Sequence, residues 1–287
     1  MLQVARLSTR LLGDSTDRIL DFFKSQRTTE GGFAGRDGRP DLYYTVFGLS
    51  SLLALDADPD ADTTQQFLET HTDIASLDLV HAASLARCWR CILRSPGADV
   101  TEQLLASAKH HLGDGADVTA YDHFLALGLY QDLECDPPDS AAVLQSLATL
   151  RSADGAFGNR PAMPAGNTTA TAAAVAVLNT LDRSALDDSI GTWLLKRTCS
   201  KGGFYAVPGA PIPDLLSTAT ALHALATLHV SADNHKELTL DFIDTLWSGR
   251  GGFVGNWSDE ALDCEYTFYG LLALGHLSVL GHPDGTS

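Results

Sequence analysis

One unit recurs along the chain and leaves few folds open: a glycine pair or its near equivalent, an aromatic residue, a short polar loop, an Asp or Asn, then an apolar helix pattern. The copies are residues 31–55 (GGFAGRDGRPDLYYTVFGLSSLLAL), 155–181 (GAFGNRPAMPAGNTTATAAAVAVLNTL), 202–228 (GGFYAVPGAPIPDLLSTATALHALATL) and 251–277 (GGFVGNWSDEALDCEYTFYGLLALGHL). Their aromatic residues are 47 apart (Phe157 to Phe204) and 49 apart (Phe204 to Phe253). A period of this size marks a stacked or closed array of helix pairs, because one unit cannot bury its apolar face alone.

Helical periodicity runs throughout, as in Ile19, Phe22 and Phe23, whereas alternating β-branched runs between hairpin turns are missing. Amphipathic segments with a charged face fall near 15–26, 62–71, 99–112, 140–151, 187–198 and 236–248. Segments apolar nearly all round follow them near 41–55, 77–93, 117–133, 167–181, 214–228 and 263–277, and such helices must be covered on both sides. The expected fold is all-α, two concentric rings in a single domain spanning 1–287. Glycine-rich loops would join outer to inner helices at one end, converge there on a shared mouth, and finish on a helix cap at Asp41, Asn167, Asp214 or Asp263. Aspartates in the opposite turns, Asp56–Asp62 and Asp136–Asp139, lack the glycine and glutamate spacing of a calcium loop and read as turn and cap residues. The final GHPDGTS reads as a frayed tail.

A net charge of −17, from 36 acids against 19 Lys and Arg, argues against nucleic acid or an anionic membrane surface as partner and leaves a basic protein surface open. No apolar run is long enough for a membrane span, and the start, MLQVARLSTRLLGDSTDR, is too charged for a secretory signal, so a soluble cytoplasmic protein is expected. Five cysteines do not make a disulfide framework, and the lone Cys88–Cys91 CxxC reads as two small apolar residues one turn apart on a helix.

The repeat resembles that of the prenyltransferase and squalene-cyclase superfamily, most clearly at FFKSQRTTEGGF (22–33), and over the chain's length it resembles the β subunit of protein prenyltransferases. The resemblance implies an α/α toroid of about six helix pairs around an apolar funnel, with a helical partner subunit or a homodimer as candidate assemblies. It also implies a zinc cofactor, held by a D-x-C pair opening one inner helix and a His opening the last. Asp214 matches the aspartate, but Leu216 and Tyr266 stand at the other two ligand positions, so no metal is assigned. A rearranged site through Cys264 is the weaker alternative, because Cys264 is two positions from Tyr266 and points elsewhere. The basic residues that the family places around a diphosphate have no match, since Arg160 and Lys201 fall in loops.

The cyclase branch uses a buried carboxylic acid to protonate an alkene or epoxide. Its D-x-D-D motif is missing, and the nearest approach is Asp263, Glu265 and Tyr266, followed by Asp214. These four are the catalytic candidates, with an N-cap as the structural role for both aspartates. Tyr44, Tyr121, Thr168, Ser217 and Tyr266 are the ligand-binding candidates. Tyr43, Tyr44, Tyr121, Tyr266 and Tyr269 stand at inner-helix starts, where some would line the funnel and the rest would pack in the core. His81, His123 and His223 have no carboxylate partner readable from spacing. Two functions follow: a toroid that has lost zinc-dependent cysteine prenylation and binds an isoprenoid, another lipophilic molecule or a protein segment; or a divergent enzyme performing prenyl transfer or acid-initiated cyclisation through Asp263 or Asp214.

Overall fold

The computed structural model describes residues 1–110, 118–137 and 140–280. The end of the third outer segment, part of the Asp136–Asp139 turn and the GHPDGTS tail lie outside the described residues. Among those described, six inner helices alternate with six outer ones. The outer set is Ser15–Gln26, Ala61–Glu69, Ala98–His110, Ser140–Thr149, Asp188–Leu195 and Lys236–Leu246. The inner set is Leu42–Ala54, Leu79–Cys91, Ala120–Asp132, Thr168–Leu181, Leu215–Thr227 and Cys264–Leu277. Each inner helix packs on the next and the last packs on the first, so the array is a closed α/α toroid. Each outer helix covers the inner helix that follows it.

The repeat signature is a set of local devices. Asp41, Asn167, Asp214 and Asp263 cap their inner helices by accepting the N–H of Tyr44 (3.0 Å), Ala170 (2.6 Å), Ser217 (2.7 Å) and Tyr266 (2.8 Å). One turn in, a threonine hydroxyl donates back to the cap carbonyl and accepts the N–H of the repeat's phenylalanine. Phe33 donates to Thr45 (2.9 Å), Phe157 to Thr171 (3.2 Å), Phe204 to Thr218 (2.9 Å) and Phe253 to Thr267 (3.3 Å). The loop is thereby tied to the helix it feeds, and the buried donors are satisfied.

The first glycine of the pair does a different job. Gly31, Gly202 and Gly251 have φ of +97°, +87° and +93°, and a Cβ would stand 2.3, 1.7 and 2.1 Å from the carbonyl oxygens of Thr63, Leu238 and Arg18. Each therefore lets the loop lie against the backbone of the next outer helix, and the Gly251 contact closes the outer ring onto Ser15–Gln26. Arginines reinforce these joints. Arg27 lies over the Phe33 ring and donates to Pro59 O (2.9 Å) and Thr64 Oγ1 (2.7 Å), while Arg151 lies over Phe157 and pairs with Asp187.

Two features go beyond the sequence expectation. Residues 33–34 with 40–41, and 247–248 with 252–253, form two-residue antiparallel ladders at the loop ends. Short helices Leu2–Ala5 and Thr9–Leu12 pack on Cys264–Leu277, where a Cβ on Gly275 would stand 2.0 Å from Val4 O. Cys88 and Cys91 are buried free thiols on one helix. Among the described residues no helix is long and apolar enough to cross a membrane.

Candidate functional site

Because the inner helices are capped at one end of the ring, they run in the same direction and their side chains fall into layers about 1.5 Å apart per residue. They enclose a hollow of about 330 Å³, within the range of small-molecule pockets. Near the loop end it is aromatic. Tyr43 packs edge-on against Phe47 (4.9 Å between centroids), Phe47 meets Phe268 (5.7 Å) and Tyr269 (5.5 Å), and Tyr121 stacks on Phe124 (6.3 Å). At the other end, where the helices finish, it is lined by Arg87, Asp132, Gln131, Asn179, Thr180 and His223. Gln131, Asn179 and Thr180 are solvent-exposed. The polar rim of the hollow is thus at the helix C-terminal end, opposite the glycine-loop end where the sequence places the mouth.

Part of the reason is a clamp across the loop end. Arg36, in the first repeat's loop, donates from Nε to Asp263 Oδ2 (2.8 Å) and from Nη2 to Asp259 Oδ2 (3.0 Å), and its guanidinium lies 5.6 Å from the centre of the Tyr266 ring. The clamp joins the first repeat to the last. Asp263 is 3% exposed on its side chain, so removing Arg36 would strand a buried carboxylate. Arg36→Met is expected to cost about 2 kcal/mol, less than a fully buried pair because the guanidinium is half exposed. Denaturant unfolding checks this, and an unchanged midpoint would mean that helix packing alone closes the ring.

The catalytic candidates separate by what their oxygens already hold. Asp263 accepts the Tyr266 N–H on Oδ1 and Arg36 on Oδ2. Asp214 accepts the Ser217 N–H on Oδ1 and the Ser217 hydroxyl on Oδ2 (2.8 Å). Burial pushes both carboxyls above their usual range, but every one of these four oxygens faces a donor, which favours the charged form. Glu265 differs. Its Oε1 accepts the Tyr43 hydroxyl at 2.6 Å, and its Oε2 takes no partner among the described residues. Burial raises its carboxyl above the ordinary glutamate range, with Asp263 adding to the rise and Tyr43 and Arg36 opposing it. Glu265 stands behind Tyr43, which does line the hollow. Burial likewise pushes the Tyr121 and Tyr266 phenols up to about 12.

Of the ligand-binding candidates, Tyr121 lines the hollow; Tyr44 and Tyr266 lie beside Arg36 at the loop end. Thr168 is buried and donates to Tyr205 O (2.6 Å), and Ser217 is buried on Asp214, so both hydroxyls serve the frame. Tyr43, Tyr121 and Tyr269 face the cavity. Tyr266 is near the Asp214 cap, Leu216 has no donor atom to offer a zinc ion, and Cys264 is fully buried beside Asp263. Among the described residues no group of three or more His, Cys, Asp or Glu stands close enough to hold a metal.

Sequence reading missed four features. Arg36 meets Asp263 across nearly the whole chain. Arg87 Nε donates to Asp132 Oδ2 at 2.5 Å inside the hollow. His223 Nδ1 lies 3.0 Å from His276 Nε2, and burial lowers the two rings to about 4 and about 3, so both are neutral at pH 7. His81 does have carboxylate partners: Asp78 at 2.7 Å and Asp41 at 3.5 Å.

No curated protein sequence matches the chain significantly. Several solved structures share its fold. A type II terpene cyclase MstE variant from Scytonema, in complex with the substrate geranylgeranyl dihydroxybenzoate, is 13% identical with a TM-score of 0.64, covering 94% of this chain and 97% of that one. A second variant, in complex with the product merosterolic acid A, gives 13% identity and 0.63 with the same coverage, and the apo enzyme gives 15% and 0.61 over 96% and 98%. At this identity the likeness speaks for the fold alone. The prenyltransferase alpha-alpha toroid domain model matches residues 5–205 and 182–281, and the chain belongs to that family.

Proposed function

We propose that the hollow takes up a linear isoprenoid and that Glu265 starts its cyclisation by protonating an alkene or epoxide at the chain's end. The observation that carries this reading is the unequal use of the two Glu265 oxygens: Tyr43 holds Oε1, and Oε2 is left to carry a proton. In the step, the chain's end passes the Tyr43 ring to reach Oε2, since Glu265 itself is not among the residues lining the hollow; the carboxylic O–H breaks, one alkene carbon gains the proton and the other becomes a cation. A neighbouring double bond closes a ring on that cation, and loss of a proton at the end restores an alkene, so the product is an isomer of the substrate. The aromatic faces of Phe47, Phe124, Phe268 and Tyr269 stabilise the cation, and Tyr43 stabilises the carboxylate left behind. Zinc-dependent transfer to a cysteine thiol is not part of this reading, since Leu216 has no donor atom to offer a metal.

The proton donor must be protonated to act, so activity is expected to fall as pH rises through the raised Glu265 pKa. Tyr43 donates to the carboxylate and holds that pKa down, so Tyr43→Phe should move the alkaline fall-off of kcat to higher pH. A profile that moves to lower pH would contradict the assignment.

The overall test is incubation with polyprenols, squalene and prenyl diphosphates, read by mass spectrometry. An isomer of one of these substrates is the expected result. Tight binding without conversion would favour a toroid that only holds its ligand, and neither binding nor conversion would overturn both readings.

A further inference from the structure

At the polar end of the hollow a strap lies across the seam where the last inner helix meets the first. It is residues 2–12, the short turns Leu2–Ala5, Arg6–Ser8 and Thr9–Leu12, and it packs on Cys264–Leu277 and Leu42–Ala54. Leu2 lines the hollow, as does His223. Val4 O rests where Gly275 lacks a Cβ, so the strap reaches the backbone next to His276, which is 5% exposed. The strap thus covers the His223–His276 pair, whose facing nitrogens are 3.0 Å apart. Little holds it down. Among the described residues its one side-chain hydrogen bond is internal, Thr9 to Arg6 O (3.1 Å), and no backbone hydrogen bond ties residues 2–12 to the ring. Ser8 is fully buried with its hydroxyl unpartnered, which weakens the closed strap and not an open, hydrated one. Turns of 4, 3 and 4 residues have no helical stability of their own. Gly13 ends the strap at φ +50° and ψ −129° with nothing within 4 Å of an added Cβ, so the chain can pivot there without a clash.

We infer that residues 2–12 are a gate over the polar end of the hollow, closed at neutral pH and lifted about Gly13 when the His223–His276 pair takes up protons. The gate does not depend on what the hollow binds. With the strap down both rings are neutral, because burial lowers His223 to about 4 and His276 to about 3, and the Met1 ammonium adds to both effects. The charged groups around the pair oppose its protonation too. From the strap come the Met1 ammonium and the exposed Arg6 and Arg10, and from the inner helices Arg87 with its partner Asp132. From the turns come Arg183, which donates to Thr227 O (3.2 Å), and Lys236, which donates to Leu280 O (2.7 Å). Asp132 is the one acid of this set, and Arg87 neutralises it. Lifting the strap lets water reach the rings, and their proton affinity returns towards the ordinary value near 6.5. Closure is therefore at full strength above about pH 6.5 and weakens as pH falls below it, by about tenfold per uncovered ring between pH 7.5 and 5.5.

The test is hydrogen exchange of the whole chain, read by mass spectrometry as protection factors at pH 7.5 and pH 5.5. The gate predicts that protection of residues 2–12 falls about tenfold or more at the lower pH, while that of Leu79–Cys91 and Thr168–Leu181 is unchanged. His223→Gln combined with His276→Gln should abolish the fall. Ser8→Ala removes the orphan hydroxyl and should raise protection of the strap about fivefold at either pH. Diethyl pyrocarbonate at pH 7.5 checks the cover separately: in Ser8→Ala the rings of His223 and His276 should be modified about fivefold more slowly, with exposed His229 unchanged. If the double variant does not fold, the unaltered protein and Ser8→Ala decide. A strap equally protected at both pH values overturns the gate, as does a fall shared by the inner helices, which would be ordinary acid unfolding. Altered strap protection with unaltered modification of the two rings overturns it as well, since the strap would then fray without uncovering them.

Discussion

Glu265→Gln should reduce conversion of a bound isoprenoid by about a thousandfold or more, with ligand affinity kept within about twofold. Glutamine has nearly the shape of glutamic acid, and its carbonyl can still accept the Tyr43 hydroxyl now held by Oε1 at 2.6 Å. Its amide N–H is far too weak an acid to protonate carbon. None of the residues lining the hollow is changed. Asp263→Asn and Asp214→Asn are the matched controls. Each asparagine can keep the cap on Tyr266 N–H or Ser217 N–H, so these variants should lose stability before they lose turnover. Single-turnover assays on the three variants separate the roles. Full activity in Glu265→Gln, or its loss in Asp263→Asn with normal folding, would move the proton donor to Asp263.

Gly202→Ala is expected to cost about 3 kcal/mol or more, lowering Tm by about 6 °C or more. Two effects add. At φ +87° an alanine pays for a backbone conformation that side chains disfavour, and its Cβ would stand 1.7 Å from the carbonyl oxygen of Leu238. That oxygen belongs to the helix Lys236–Leu246, so relief requires the loop and the outer helix to part. Gly209→Ala isolates the first effect: its φ is +79°, and nothing lies within 4 Å of its added Cβ. The difference between the two variants measures the joint between repeats. If Gly202→Ala melts like Gly209→Ala, the loop is free to move and the outer ring is held elsewhere.

The ring was legible because its devices are local. A cap, a threonine one turn later and a glycine at positive φ all fall within one repeat, and inner helices such as Leu215–Thr227 lie inside the boundaries that periodicity gives. The proton donor was half legible. Asp263 and Glu265 are adjacent in the pattern, but which of them keeps a free oxygen depends on Arg36 and Tyr43, which reach them only after the last repeat closes on the first. Arg36 sits in RDGR, a stretch that reads as a solvated turn. The polar rim had a signal that went unused: Arg87 and Asp132 are charges on helices otherwise apolar on most sides, where a charge needs a partner or a ligand. His81 differs from the expectation: Asp78, three residues before it at the helix N-cap, is within reach by spacing alone. Thr168 and Ser217 stand at inner-helix starts, but burial keeps them out of any ligand's reach. Their hydroxyls are used up on Tyr205 and Asp214.

The most direct measurement is the reaction run in deuterium oxide with a prenyl alcohol as substrate, its product weighed by mass spectrometry. Protonation by an exchangeable carboxylic acid predicts a cyclic isomer carrying one solvent deuterium on carbon, formed by the unaltered protein and missing with Glu265→Gln. A cyclic product without solvent deuterium would contradict acid initiation.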